Sequence, residues 1–452
     1  MNAAERKSFF AHPSGLALLF FVEMWERFSY YGMRALLILY LVNELDWETA
    51  RAANLYGSYT ALVYISPLIG GFLADRLIGT RRSLVIGGVL IALGHFMLAI
   101  PGGMPTFYAG LGLVILGTGF FKPNVSTMVG QLYAPGDPRR DGGFTLFYMG
   151  INLGGFLAPL VCGYLGERVG WHYGFGAAGV GMLLGLGLYL WGRDRYLPGI
   201  GLAPSARQGG GRERAEASPD DGRRVLALAL VFLFVVTFWM AFEQQGSSLN
   251  LFADRRTDRT IGAFDIPTSW FQSINSLGIL VFAPLFVWLW AKLGRAGREP
   301  STPMKMVYGL VLLGTGFAVM ALAGRITDGG SLVGPGWLVA TYTLHTWGEL
   351  CLSPVGLSYV TKVAPARFTS LLMAAWFLAN GLGNKLAGSL AALWGTMSDA
   401  AFFSIFVATS IVAAILLRLA VPLIARLTRH AADATTGGAV AATSPAIVSK
   451  PL

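Results

Sequence analysis

Runs of about twenty consecutive apolar residues recur along the whole chain, and no other feature restricts its fold so strongly. A helix rising ~1.5 Å per residue needs about 20 apolar residues to cross the ~30 Å hydrocarbon layer of a bilayer. Such windows fall at 16–42, 52–74, 83–100, 105–128, 143–165 and 173–191, then at 225–249, 267–291, 304–323, 337–361, 370–394 and 400–425. That makes twelve spans. Composition agrees, because 13% of the residues are charged where soluble chains carry about 25%, and 54% are apolar. Ordinary soluble folds, disordered chains and secreted disulfide scaffolds are excluded. Cys162 and Cys351 both lie inside apolar runs and read as small packing residues.

The formal charge of +10 does not point to nucleic acid, since the basic residues sit between apolar runs and form no single stripe. With the N-terminus inside, the inner segments hold 23 Lys and Arg and the outer loops 6. Both termini are therefore expected in the cytoplasm. The loop with Arg255, Arg256 and Arg259 resists this rule, softened by Asp254 and Asp258. The first span holds Glu23, Glu26, Arg27 and Arg34 and is too long for a signal peptide.

Residues 193–224 are rich in Gly, Arg, Pro and Ser and split the spans into six plus six. Weak internal echoes support the division: ADRLIGTRR at 74–82 follows the second span and AKLGRAGR at 291–298 follows the eighth. The expected fold is all-α and integral to the membrane, with two parallel six-helix bundles around a central cavity. Its parts are a cytoplasmic N-terminus (1–14), an N-terminal bundle (15–192), a cytoplasmic linker (193–224), a C-terminal bundle (225–427) and a disordered cytoplasmic tail (428–452).

Eight ionisable residues stand where lipid should exclude them: Glu23, Glu26, Arg27, Arg34, Lys122, Glu243, Glu349 and Lys385. At ~2.5–3.5 kcal/mol each on insertion scales, they cost together roughly 20 kcal/mol or more, beyond a typical stability of about 5–15. They must face water or one another. Glu26, Tyr30, Glu23, Arg34 and Arg27 share a fan of ~100° on the first helix, which predicts a hydrated cavity beside it. Lys122 precedes Pro123, whose missing amide leaves a carbonyl free nearby. Glu349 lies five residues before Pro354 in the other half, a matching place with opposite charge. Lys122 with Glu349, and Arg34 with Glu243, can pair across the cavity; purely structural bridges are the competing reading. Arg418 can snorkel to the interface and is given no role, and Lys385 is left out of the core site. His95 and His345 are read as neutral packing, because no second pair of metal ligands accompanies them.

Several stretches resemble the proton-coupled oligopeptide transporter family of the major facilitator superfamily. EMWERFSYYG at 23–32 resembles the family's E-x-x-E-R-F motif and FKPNVSTMVGQLY at 121–133 its fourth-helix lysine motif. FTLFYMGINLGGF at 144–156 fits its second signature, GELCLSPVG at 348–356 its tenth-helix motif, and residues 75–82 the superfamily's inner-loop motif. The resemblance covers residues 15–425. It departs in three places: the linker is too short for the two extra helices of many bacterial relatives, no histidine occurs between His12 and His95 where animal relatives use one, and Ser83 and Leu84 replace commoner choices.

The resemblance implies a twelve-helix major facilitator fold in a bacterial inner membrane. It further implies a proton-coupled symporter of di- and tripeptides working by alternating access, with no cofactor beyond the coupling proton. Arg34 and Lys122 would attract the peptide carboxylate, Glu349 its amino terminus, and Asn152 and Asn275 its amide and amine. Tyr30, Tyr64 and Trp376 match pocket-lining positions. Glu23, Glu26, Arg27, Lys122 and Glu243 would take part in proton coupling. Two latches follow, Arg34 with Glu243 outside and Lys122 with Glu349 inside, opened by protonation and by the peptide's own charges. The expected partners are small peptides and membrane lipid, with no nucleic acid, and the chain is expected to act as a monomer. A carrier of nitrate or another small anion is the alternative, disfavoured by Glu349. A polytopic enzyme lacks a nucleophile and base at one depth, and a peptide sensor lacks a signalling domain.

Overall fold

The computed structural model describes residues 12–134, 136–202, 218 and 220–441. Half of the expected linker, residues 1–11 of the expected N-terminal segment and residues 442–452 of the expected tail lie outside the described residues.

Six helices make the first half: α1 (Ser14–Leu39), α2 (Thr49–Leu73), α3 (Thr80–Ala99), α4 (Met104–Gln131), α5 (Arg140–Ala158) and α6 (Trp171–Tyr196). The second half contains α7 (Asp221–Phe242), the short α8 (Ser248–Arg255), α9 (Ser273–Arg295), α10 (Thr302–Asp328), α11 (Gly336–Val363), α12 (Thr369–Ala391) and α13 (Asp399–Ala441). Among the described residues, nine of the long helices can cross a membrane by length and composition. The other three are α1, α11 and α12, and α1 carries four buried ionisable residues, Glu23, Glu26, Arg27 and Arg34. One hairpin, Thr260–Ile261 paired antiparallel with Phe264–Asp265, closes on Gly262 at φ 63, a value that suits a residue with no Cβ.

Packing repeats between the halves. In the first, α1 packs on α5 and α6, α2 on α4, and α3 on α4 and α6; in the second, α7 packs on α12 and α13, α9 on α11, and α10 on α11 and α13. The halves meet through α2 on α12 and α5 on α9, which are equivalent positions exchanged. Two parallel repeats related by a pseudo-two-fold axis produce this pattern. On the outer flanks large apolar side chains stand open, among them Trp191, Leu233 and Val287. In water such a surface would aggregate, and in a bilayer it meets its own solvent.

Small residues set the closest approach between halves. A Cβ added at Gly57 would lie 2.7 Å from the Gly388 Cα, so only glycine allows α2 and α12 to cross so tightly.

Two expectations need correction. The seventh span is not continuous to 249: α7 ends at Phe242, a 3-10 turn covers Glu243–Gly246, and Ser247 leaves helical geometry at φ −128, ψ −96 before α8 begins. The Gly246-Ser247-Ser248 stretch breaks one helix and opens the next. The last helix continues through residues 428–441, where composition predicts disorder.

Candidate functional site

A cavity of ≈ 260 Å³ lies between the halves, about the share of nine waters in liquid. Helices from both halves line it. From the first come Tyr31, Arg34, Tyr64, Lys122, Tyr148 and Asn152, and from the second Glu243, Gln245, Asn275, Ser353, Glu349 and Trp376. A larger apolar groove flanked by Trp25, Phe96 and Val180 lies elsewhere and holds none of the residues expected in the site.

Arg34 reaches the chamber from the third turn of the polar face of α1. Its Nη2 donates to Glu243 Oε2 and forms an ion pair across the halves, with both side chains nearly buried. Its Nε donates to the Tyr56 hydroxyl on α2 at 2.6 Å. Glu243 can face Arg34 because α7 ends one residue earlier, and the following turn is held from three sides. Gln244 Nε2 donates to the Ala387 carbonyl at 3.0 Å, the Tyr342 hydroxyl donates to the Gln245 carbonyl at 3.2 Å, and Asn250 Nδ2 donates to the Ala35 carbonyl at 3.0 Å.

Lys122 makes no ion pair with Glu349. Its Nζ stands 4.5 Å from the Tyr64 ring centroid, a cation–π placement, within electrostatic range of Glu23, Glu26 and Glu243. Helix α4 runs unbroken through Pro123. Glu349 Oε2 instead accepts from Asn275 Nδ2 at 2.9 Å, and that amide also donates to Thr346 Oγ1 at 3.1 Å. The expected inner pair is thus unformed while the outer one is made.

Of the residues expected to hold a ligand, Arg34, Tyr64, Lys122, Asn152, Asn275, Glu349 and Trp376 line the chamber and Tyr30 does not. Tyr30 is buried with its ring 5.2 Å from the Arg27 guanidinium, and Tyr31 takes the lining place one residue on. Glu23, Glu26 and Arg27 are also absent from the lining. Arg27 Nε lies 3.2 Å from Glu23 Oε1, and its Nη2 donates to Glu26 Oε1 at 2.7 Å, so the three close on one another inside the first half. The polar fan on α1 therefore divides, with a buried triad at Glu23, Glu26 and Arg27, in which Glu23 Oε2 takes no hydrogen bond, and a chamber-facing charge at Arg34. Lys385 Nζ donates to Ser58 Oγ at 2.9 Å and ties α12 to α2. His345 packs against Phe317 at 4.5 Å, and among the described residues no group of three His, Cys, Asp or Glu could hold a metal.

Sequence reasoning missed Tyr56, Tyr31 and Tyr148. Tyr56 stands within an apolar run with no charged neighbour to mark it, and only the fold places it beside Arg34. Also missed is a polar seam at the predicted outer end. Glu167 Oε2 accepts from the Thr268 amide at 2.7 Å, and Oε1 from the Ser269 amide at 2.9 Å and from Ser269 Oγ at 2.6 Å. Arg168 Nη2 donates to Asp265 Oδ2 at 2.6 Å, and Asn43 Nδ2 to Asp254 Oδ2 at 3.0 Å. Of the outer arginines, Arg256 pairs with Asp399 at 2.9 Å, while Arg259 lies 4.0 Å from Glu167 and 3.9 Å from Asp254.

The model of the POT family matches residues 81–199 and 211–403. The peptide transporter YePEPT of Yersinia enterocolitica is 39% identical, over 93% of this chain and 96% of its own. A di-/tripeptide transporter of Lactococcus lactis is 36% identical, over 92% of this chain and 96% of its own. Among solved structures, a mutant of the peptide transporter POT in complex with alafosfalin superposes with a TM-score of 0.88 at 38% identity, covering 94% of this chain and 98% of that one.

Proposed function

This chain belongs to the POT family of multi-pass membrane peptide transporters, and from that premise we propose that it imports di- and tripeptides together with protons by alternating access. The observation that carries the reading is one chamber with Arg34 and Lys122 on the first half and Glu349 on the second. A zwitterion fits between them, carboxylate toward the cations and ammonium toward Glu349, with Asn152 and Asn275 in reach of its polar groups. Fixed charges at both ends select short peptides, since a longer chain cannot satisfy both.

Proton coupling follows from the state of the two latches. Separating a buried ion pair by removing one partner costs about 3–5 kcal/mol, because the other charge is left stranded. Arg34 can leave Glu243 only if the acid takes a proton or another carboxylate takes its place. Protonation of Glu243 and arrival of the peptide carboxylate at Arg34 do both together, and the resulting charge balance ties one event to the other. Lys122 is the cation free to answer Glu349 when the opposite side closes. The Glu23, Glu26 and Arg27 triad lies within electrostatic range of Lys122 and supplies a second proton-accepting group behind the chamber. No cofactor is required beyond the proton. We place the chain in a bacterial inner membrane, surrounded by lipid and acting as a monomer, and its charge distribution supports placing both termini in the cytoplasm.

A carrier of nitrate or another small anion is the second reading, supported by the two cations. Glu349 argues against it, since a carboxylate held toward the chamber by Asn275 repels an anion. Uptake of labelled dialanine into proteoliposomes tests the proposal. An inward proton gradient should concentrate the peptide, and a protein that ignores both gradient and peptide while accumulating nitrate would overturn it.

A further inference from the structure

The outer seam contains a residue with more reach than its place at a helix end suggests. Glu167 ends the first half's α5 limb, in a π-helical stretch over Leu165–Val169. Its two carboxylate oxygens take three donors from the other half: the amides of Thr268 and Ser269 and the Ser269 hydroxyl. Those residues begin the 3-10 turn Thr268–Gln272, which runs without interruption into α9. The turn delivers Gln272 to the chamber and α9, within two turns, Asn275, Ser276 and Ile279, and Asn275 is the group that holds Glu349. Arg259 approaches Glu167 at 4.0 Å, and the turn it captures is fixed further: Asp254 accepts from Thr268 Oγ1 at 3.2 Å, and Trp270 Nε1 donates to the Leu160 carbonyl at 3.1 Å.

We propose that Glu167 is a positioning residue for transport: by capturing the start of α9 it both seals the outer side and sets the height of Asn275 in the chamber. The inference rests on the alternating-access reading above. Its physical basis is that an ionised carboxylate with three short donors is among the stronger polar contacts a protein makes, worth several neutral hydrogen bonds. All three donors belong to the opposite half, so none survives a separation of the halves. Arg34 with Glu243 closes the chamber from within, and Glu167 closes it one layer further out through a different pair of helices. Opening therefore requires Glu167 to give up its three donors as well as Arg34 to leave Glu243, together with the other bonds of the outer seam. The outer release moves α9 bodily, and with it the amide that orients Glu349. The carboxylate that receives a peptide's amino terminus is thus set by a residue outside the chamber.

The test uses the full chain in right-side-out membrane vesicles, with Cys162 and Cys351 replaced by Ala and Gln272→Cys as a reporter at the outer end of the chamber. A membrane-impermeant maleimide added outside reads how often that side opens. Glu167→Ala should raise the labelling rate roughly tenfold or more, the scale expected on losing a charge-assisted contact, and Glu167→Asp should recover part of the closure. In dialanine counterflow on the native-cysteine chain, Glu167→Ala should raise KM more than it lowers the maximal rate, because the ammonium site is misplaced while the chamber remains. A labelling rate unchanged in Glu167→Ala overturns the proposal. If Glu167→Ala fails to reach the membrane, Ser269→Ala removes one of the three donors, and an unchanged labelling rate there overturns it as well. Labelling needs no substrate, so the outer seal is judged even if the chain proves to carry something other than peptides.

Discussion

Arg34 and Glu243 lie 209 residues apart in sequence and share one charge-assisted contact, so their pairing can be tested by changing the acid alone. Glu243→Gln keeps the shape and imitates a permanently protonated latch. Uptake against a gradient should fall at least roughly tenfold, since a latch that cannot rebind its proton cannot transmit the gradient, while peptide counterflow at equal pH continues. Measured from pH 5 to 8, the variant's counterflow should depend less on pH than that of the wild type, keeping only what the second proton-accepting group contributes. Asp137, in the loop before α5, supplies a contrast. Hydrogen bonds from the Arg139 side chain and amide hold its carboxyl down to about 2. A depressed folded-state value means the stabilisation is complete above the unfolded value of ~3.9 and disappears only as pH falls through the folded one. Asp137→Asn should therefore leave the shape of the transport profile between pH 5 and 8 unchanged. A shifted midpoint would place a coupling group in that loop. At this scale the sequence was informative wherever charge was out of place, because lipid makes every misplaced charge expensive. It was silent on Tyr56, whose value lies only in its proximity to Arg34.

Helices carried the most legible signal, since a span of about 20 apolar residues can do little else in a bilayer. The break after Phe242 escaped because hydropathy continues across it. Its cause is local chemistry, with Gly246 and two serines, and tertiary bonds to the Ala387 and Ala35 carbonyls and from the Tyr342 hydroxyl complete it. The last helix was underestimated for the opposite reason, as polar composition at its end concealed a helix that continues to Ala441. Close helix crossings were also invisible, although the glycines that permit them were not. Gly57 and Gly388 bring α2 of one half against α12 of the other, and a Cβ at Gly388 would lie 2.6 Å from the Gly57 Cα. A larger side chain there meets backbone and cannot rotate away. Gly57→Val should destabilise the protein by about 1–3 kcal/mol, as overpacking commonly does. It should lower the thermal midpoint in detergent and slow transport through the strained contact between halves. Gly112, which has open space around its Cβ position, provides the control, and Gly112→Ala should leave the midpoint within experimental scatter.

Across the whole molecule, the hydrogen bonds that join the halves gather at one end among the described residues. Asn43 to Asp254, Glu167 to Ser269, Trp270 to Leu160, Ser273 to Phe156 and Lys385 to Ser58 all belong to the end that the charge distribution assigns to the outside. Lys122 and Glu349, the pair expected to close the other side, stand apart. The two-bundle plan was readable from the six-plus-six division and the faint repeat after the second and eighth spans. The state of the gates was not, because both arrangements satisfy the same residues and differ only in which partner each charge finds. If the halves rock about the chamber, fixing the outer end should stop transport without damaging the site. Asn43→Cys with Asp254→Cys replaces a 3.0 Å hydrogen bond at the exposed rim, within reach of a short thiol cross-linker in a chain whose own cysteines are removed. Cross-linked protein should lose peptide exchange across the membrane and still bind dialanine from the inner side, and cleaving the linker should restore exchange. Full exchange with the linker in place would mean that the outer seam does not part during transport. Loss of binding along with exchange would mean that the chamber itself depends on motion at the rim.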